Sequence, residues 1–252
     1  MTATMTAATR PAKKREAEPE PPAPIPLHIL FLLDRSGSMT QIRGDVIGGF
    51  NAFLAEQQAD QLGKVRLTLV QFDQQGPFEI VHEAKRIEKV PPLTEATFVP
   101  RGSTPLLDAE GRAMVWLEER EARRRAEGKR EEQVIFATYT DGLENVSREW
   151  SFEQVAAKKA EHEGRWVFLY LGVGHDGYGQ AARVGTMVVN TTSAPKGPAG
   201  AAMAYNDFRG EVRHTRSRAA QGVPTASFET RAATEAEAAE LIEMAEADSE
   251  KL

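Results

Sequence analysis

The chain has 252 residues, of which 41% are hydrophobic and 27% charged, a composition that can bury one sizeable core and fits neither a disordered nor a fibrous protein. It has no cysteine and five histidines, which excludes disulfides, thiolate metal sites, thiol nucleophiles and iron–sulfur clusters and leaves oxygen and imidazole for any metal chemistry. The net charge of −6 is carried by residues 229–252, so that 27–228 is left at −1 beside a +1 arm over 1–26, and a nearly neutral body offers no nucleic-acid groove.

Met1–Ala12 lacks the apolar core of a signal segment, and Ile25–Leu33, interrupted by Pro26 and His28, is too short to span a bilayer. A cytoplasmic protein without membrane contact is expected. Residues 1–25, with Glu18-Pro19-Glu20-Pro21-Pro22-Ala23-Pro24, read as a disordered Pro-rich arm. The folded domain is expected over 26–222, and 223–252 as an acidic tail whose Thr234–Met244 is Ala-rich enough for a helix but has few large residues to bury.

Leu27–Leu33 is a buried-strand run that stops at Asp34. The turn formers Ser36-Gly37-Ser38 follow, then a helical repeat of Val46, Phe50, Phe53 and Leu54. A second strand, Val65–Phe72, is joined to a short third, Phe78–His82, by a link that permits only an antiparallel hairpin. Pro91, Pro92 and Pro100 break the next stretch, and Arg101-Gly102-Ser103-Thr104-Pro105 opens a long helix with Pro105 at its first position. Leu106, Ala109, Ala113 and Leu117 give that helix one apolar face, and Glu118–Glu127 reads as its solvated end. Strand Gln133–Thr140, helix Ser151–Glu163, strand Trp166–Val173, a short helix near Gly179–Val184 and strand Met187–Asn190 continue the alternation, which implies a mostly parallel sheet with helices on both faces. A last helix over Gly200–Arg218 aligns Ala201, Tyr205, Phe208 and Val212, with Arg209, Arg213 and Arg216 beside them as a solvated basic stripe.

Three oxygen-rich loops lie at strand ends or just before helices: Asp34-Arg35-Ser36-Gly37-Ser38, Thr104 and Asp141. If the first long strand and Gln133–Thr140 are neighbours at a switch point of the sheet, their loops meet. Two carboxylates and three hydroxyls suit Mg²⁺ or Mn²⁺ better than zinc or copper, because these hard ions take about six oxygens. Each piece also has an ordinary reading: D-x-S-x-S as a turn and Thr104 as a helix cap. Gly172-Val173-Gly174-His175-Asp176-Gly177 matches G-x-G-x-x-G but lacks an acidic residue at the end of the next strand, so it reads as a glycine-rich turn rather than a dinucleotide site. Asp73 reads as a turn residue, and Trp150 as an anchor for the helix after it.

The run Leu27–Met39 with its D-x-S-G-S-M, the Gly102-Ser103-Thr104-Pro105 turn and the Thr140-Asp141-Gly142 turn, in that order, resemble the von Willebrand factor type A domain with its metal-ion-dependent adhesion site, most of all its bacterial intracellular members. The resemblance covers Pro26 to Asn190. It implies an α/β fold with a doubly wound, mostly parallel six-stranded sheet and one antiparallel edge strand, Phe78–His82. It also implies one Mg²⁺ (or Mn²⁺) held by Ser36 and Ser38 directly, with Asp34, Thr104 and Asp141 direct or through water, and an open position for a carboxylate of a partner protein. Arg35, Arg101 and His175 would form the rim that such a partner meets. Some intracellular members serve as adaptors for AAA+ ATPases or in stress-response complexes, a further possibility that no residue here selects. A phosphatase of the haloacid-dehalogenase type is disfavoured, because its general acid needs a carboxylate where this chain has Ser36. No G-x-S-x-G elbow is present either. A non-enzymatic module that binds an acidic side chain is therefore expected.

Overall fold

The computed structural model describes residues 22–174, 177–186 and 190–225. Among them, strands β1 (Leu27–Asp34), β2 (Val65–Asp73), β3 (Gly76–Arg86), β4 (Gln133–Thr140), β5 (Trp166–Val173) and β6 (Thr191–Ala194) form one sheet in the order β3-β2-β1-β4-β5-β6. All neighbouring pairs are parallel except β2 with β3. The helices are α1 (Arg43–Ala59), entered through a 3-10 turn over Gly37–Ile42, α2 (Leu106–Ala126), α3 (Phe152–Glu161), α4 (Gly177–Arg183) and α5 (Pro198–Ala220).

Every residue of β1 is buried because both faces of the sheet are covered, which is why its sequence is continuously apolar rather than alternating. Leu27, Ile29, Phe31 and Leu33 face one core with Val46, Phe50 and Phe53 of α1 and Tyr205, Phe208 and Val212 of α5. Leu30 and Leu32 face the other, with Leu106, Met114 and Leu117 of α2, Val155 of α3 and Ala181 of α4. Phe31 is the hub of the first core, with the rings of Phe208, Phe50 and Tyr205 at 5.0, 5.6 and 6.2 Å. Ser151 and Gln154 form a reciprocal capping box that starts α3. Trp150 seats its ring over Gly111 of α2.

Several expectations shift. The edge strand β3 extends to Arg86 instead of ending at His82. Its Glu79, His82, Glu83, Lys85 and Arg86 give it no apolar rhythm, a common property of edges protected from pairing with another chain. The last strand lies at Thr191–Ala194, after the expected Met187–Asn190, of which 187–189 fall outside the described residues. Helix α2 begins at Leu106, with Pro105 in the capping position. Its charged end is not all solvated, since Arg120 is buried against Glu132, which Arg124 also approaches at 3.2 Å.

The arginine stripe of α5 is likewise corrected. Arg216 is 2% exposed, and its guanidinium donates to the carbonyls of Gln57, Asp60 and Leu62, closing the C-terminal end of α1. Arg213 and Arg209 reach Glu56 of α1 at 2.8 and 3.7 Å. At the termini, the Ile25 amide donates to Ala219, and the buried Thr225 donates its amide to the Gln133 side chain. The arm over 1–21, the tail over 226–252 and the helix expected at Thr234–Met244 lie outside the described residues. No helix among the described residues is long and apolar enough to cross a membrane.

One buried group makes the fold sensitive to acid. His28 of β1 is fully buried, hydrogen-bonded to Thr68 at 2.8 Å and 3.8 Å from Glu132. Burial, and then the charges of Arg120, Arg124 and Arg66, push its pKa well below the ordinary value. The folded protein thus keeps this imidazole neutral while the unfolded chain protonates it near pH 6.5, so stability is lost as pH falls through that value. In urea titrations, the fall in stability from pH 7 to pH 5 is expected to be shallower in His28→Gln than in the parent, by about 2 kcal/mol at most.

Candidate metal centre

β1 and β4 lie side by side in parallel. The chain leaves β1 toward α1 on one face and leaves β4 toward α3 on the other, which opens a crevice between their carboxyl ends. Asp34 sits at the end of β1, and Asp141 directly follows β4.

Asp34 is fully buried, and both its oxygens are engaged: Oδ1 accepts from the Ser36 amide at 2.6 Å and Oδ2 from the Thr140 hydroxyl at 2.6 Å. Burial raises its pKa to about 7, against the hydrogen bonds from Thr140 and Ser36, and the neighbouring Asp141 carboxylate adds to the rise. A nearby cation would favour the ionised form, so a proton and a cation compete for this carboxylate around neutral pH.

The other oxygens converge on the same point. Ser36 Oγ and Ser38 Oγ are 3.0 Å apart, and Ser38 donates to Asp141 Oδ1 at 2.5 Å. A methyl carbon placed on Gly142 would lie 2.9 Å from Thr104 Oγ1, 3.6 Å from Ser38 Oγ and 3.7 Å from Asp34 Oδ2. Gly142, on the third loop, therefore faces a small space walled by oxygens from the other two. Ser36, Thr104 and Asp141 are buried while Ser38 is exposed, so the space opens to solvent past Ser38. Thr104 does not cap α2 with its side chain. The five residues proposed from sequence are thus brought together.

The loops are braced to one another by the protein itself. The Arg101 amide donates to the Arg35 carbonyl at 2.8 Å and Gly37 to Gly102 at 2.9 Å, while Thr104 and Asn145 exchange bonds of 3.1 and 3.3 Å. The cradle is preformed, and a side chain in its mouth should harm binding more than folding. In Gly142→Ala, divalent-ion affinity measured by calorimetry is expected to fall roughly tenfold or more, with a cooperative melt retained.

The rim differs from expectation. Arg35 is 6% exposed and turned inward, donating to Asp73 at 2.7 Å, Gln71 at 3.1 Å and Glu79 at 2.7 Å, so it is a brace and not a group offered to a partner. Asp73 is a turn residue, as expected, whose Oδ1 accepts from the Gln75 and Gly76 amides, and its Oδ2 also gathers Arg35 and Arg101. Burial works against its charge, but the bonds from Arg101, Gln75, Gly76 and Arg35 hold its pKa below the usual carboxylate range. The register that pairs Asp34 with Phe72 sets Arg35 beside Asp73, a link that the sequence alone does not display. Arg101 is about two-fifths exposed and shared with Asp73 and Glu79. His175 lies outside the described residues.

One site residue escaped the sequence reading. Lys196, in the loop between β6 and α5, places its ammonium 3.2 Å from Asp141 Oδ2. That buried oxygen has no hydrogen bond of good geometry, so the lysine contact is an ion pair only. The Lys196 side chain also fills the space over Gly174, which fits the reading of the glycine-rich segment as a turn.

A second group of potential ligands, Glu118, Glu161 and His162, gathers where α2 meets the end of α3. Lys158 already stands between its carboxylates, at 2.7 Å from Glu118 and 3.0 Å from Glu161. His162 Nε2 donates to the Glu118 carboxylate at 2.7 Å, and its ring lies flat on Trp166 at 3.7 Å. These contacts account for the group as an ion-pair cluster.

No protein-family model matches the sequence, and no curated protein matches it. Solved structures do resemble the fold. Proximal thread matrix protein 1 of the mussel byssus aligns with a TM-score of 0.50 at 15% identity, over 75% of this chain and 48% of that one. A von Willebrand factor type A structure from Catenulispora acidiphila aligns with a TM-score of 0.50 at 13% identity, over 73% and 42%. The pilus adhesin SpaC of Lactobacillus rhamnosus GG, in an open conformation, aligns with a TM-score of 0.53 at 14% identity, over 78% and 33%. The chain spans about half or less of the length of these proteins. At such identities the likeness shows the fold alone, and the fold is that of a von Willebrand factor type A domain. The mussel protein has also been solved with zinc in its adhesion-site motif.

Proposed function

We propose that this von Willebrand factor type A fold works as a metal-dependent protein-interaction module, in which Asp34, Ser36, Ser38, Thr104 and Asp141 hold one Mg²⁺ or Mn²⁺. The observation that carries this reading is the convergence of the three loops: oxygens of Asp34, Ser38 and Thr104 surround the Gly142 space, and Ser38 is bonded to both Ser36 and Asp141. The donor set fits the ion: it consists of hard oxygens, and Asp141 Oδ2 is buried without a hydrogen bond. A bound divalent ion would supply positive charge at the mouth of the crevice, attractive to a carboxylate of another protein. The chain's own contribution is to hold the ligands in place through the Arg35–Asp73–Arg101 brace and the backbone bonds between loops. Exposed Leu143, two residues after Asp141, offers apolar area to such a partner.

The partner is expected to be a protein with an acidic ligand residue. We read the module as non-enzymatic, since Ser36 cannot serve as the general acid of a phosphatase. Turnover of generic phosphomonoesters that vanished in Asp34→Asn would overturn that part.

The test of the whole reading is affinity capture from a lysate of the source cells, with Mg²⁺ and with chelator. Asp141→Ala should keep the cooperative melt measured in chelator and lose whatever the parent retains only with Mg²⁺. A partner held equally well by Asp141→Ala, or in chelator, would place the interaction elsewhere.

A further inference from the structure

The loop that carries Lys196 is built so that this side chain reaches the metal centre. Gly174, after β5, has φ +83, a left-handed conformation suited to glycine. Its amide donates to Ala194 at the end of β6 at 2.7 Å, which holds the two strand ends together. A methyl carbon on Gly174 would lie only 2.8 Å from Lys196 Cβ, 3.1 Å from Cγ and 3.2 Å from Cδ. The aliphatic stem therefore runs along bare backbone. Gly197, at φ 114, then turns the chain into α5.

This route delivers the ammonium to 3.2 Å from Asp141 Oδ2. Asp141 uses its other oxygen for Ser38, whose hydroxyl also belongs to the ligand group. Two cations thus have a claim on one buried carboxylate: the tethered ammonium and the divalent ion. No second carboxylate is paired with Lys196 among the described residues. Like charges at this range repel, so the ammonium and a divalent ion at the same carboxylate disfavour each other.

We propose that Lys196 sets the affinity of the centre by competing with the divalent ion for Asp141, a role that rests on the metal reading above. When an ion takes Asp141, Lys196 is released from its pair while its stem stays anchored over Gly174. Its charge then lies at the mouth, where an incoming carboxylate can meet it. The lysine is a positioning and selectivity residue, not a ligand.

The experiment compares the full chain with Lys196→Met, which keeps the stem length, and Lys196→Arg, which keeps the charge. Mg²⁺ binding is measured by calorimetry, and thermal melts are recorded in chelator and in saturating Mg²⁺. Lys196→Met should bind Mg²⁺ roughly fivefold tighter than the parent. Its melting temperature should fall in chelator, where Asp141 loses its counter-charge, and match the parent more closely in Mg²⁺. Lys196→Arg should not gain affinity. Equal or weaker Mg²⁺ binding by Lys196→Met, with the parent binding normally, would overturn this inference alone. A parent and variant that both fail to bind Mg²⁺ would overturn the metal reading and the inference with it.

Discussion

Lys159→Met is expected to lower the stability of the protein by about 3–5 kcal/mol, and the melting temperature by roughly 10 °C. Lys159 of α3 reaches Glu110 of α2 at 2.9 Å and the Thr186 hydroxyl at 2.9 Å, and Thr138 of β4 donates to the other Glu110 oxygen at 2.7 Å. Glu110 and Lys159 are at most 3% exposed. Burial pulls the lysine pKa down and the Glu110 carboxylate opposes the fall. Removing the ammonium leaves a carboxylate in the interior with one hydroxyl to meet it, and that uncompensated charge is the source of the loss. If this is the cause, removing the second charge as well should restore most of the stability. Chemical unfolding of Glu110→Gln/Lys159→Met should show recovery of more than half of the deficit. A single variant within about 1 kcal/mol of the parent would mean that the pair contributes no more than a surface ion pair.

The second large effect is on ion binding. The parent should bind one Mg²⁺ or Mn²⁺ per chain by calorimetry, and Ser36→Ala/Ser38→Ala should lose more than roughly a hundredfold in affinity, which removes any measurable heat. Ser36 and Ser38 are adjacent across 3.0 Å and Ser38 also orients Asp141, so the double change removes two oxygens and the support of a third. Stability in chelator should change by only about 1–2 kcal/mol, because the hydroxyl bonds lost are few and the loops keep their backbone braces. Heat unchanged in the double variant would mean that divalent ions bind at some other place, with the Glu118–Glu161–His162 group the next to examine.

How much of this was legible in the sequence follows from the range of each interaction. β1 could be read because burial on both faces leaves an uninterrupted apolar run, and α3 because Ser151 and Gln154 signal its start locally. The five oxygen residues were legible through the order and spacing of three short turns. β6 was displaced because Met187-Val188-Val189 is apolar, while the strand that pairs with β5 is Thr191–Ala194, a short polar edge. The length of β3 was hidden by its charges. Arg35 looked like surface because nothing in Asp34-Arg35-Ser36 announces that Asp73 and Glu79, 38 and 44 residues on, will close around it. Arg216, Lys159 and Lys196 are the same kind of case: each is an ordinary basic residue in its own segment, and its role exists only once distant elements meet.

The two ends of the described chain have a practical consequence. Pro22 packs against Gly222, Ile25 bonds to Ala219 and Thr225 bonds to Gln133, all at the end of the sheet where β1 and β4 begin. The oxygen cluster lies at the opposite end of these strands, the length of an eight-residue strand away, or roughly 23 Å. A dye, an affinity handle or a sensor-chip linker joined at residue 22 or residue 225 thus starts from the far side of the domain. Held through residue 22 or residue 225, the described domain presents its crevice away from the surface, and surface-based binding measurements with Mg²⁺ and chelator can be made through either attachment as controls for each other.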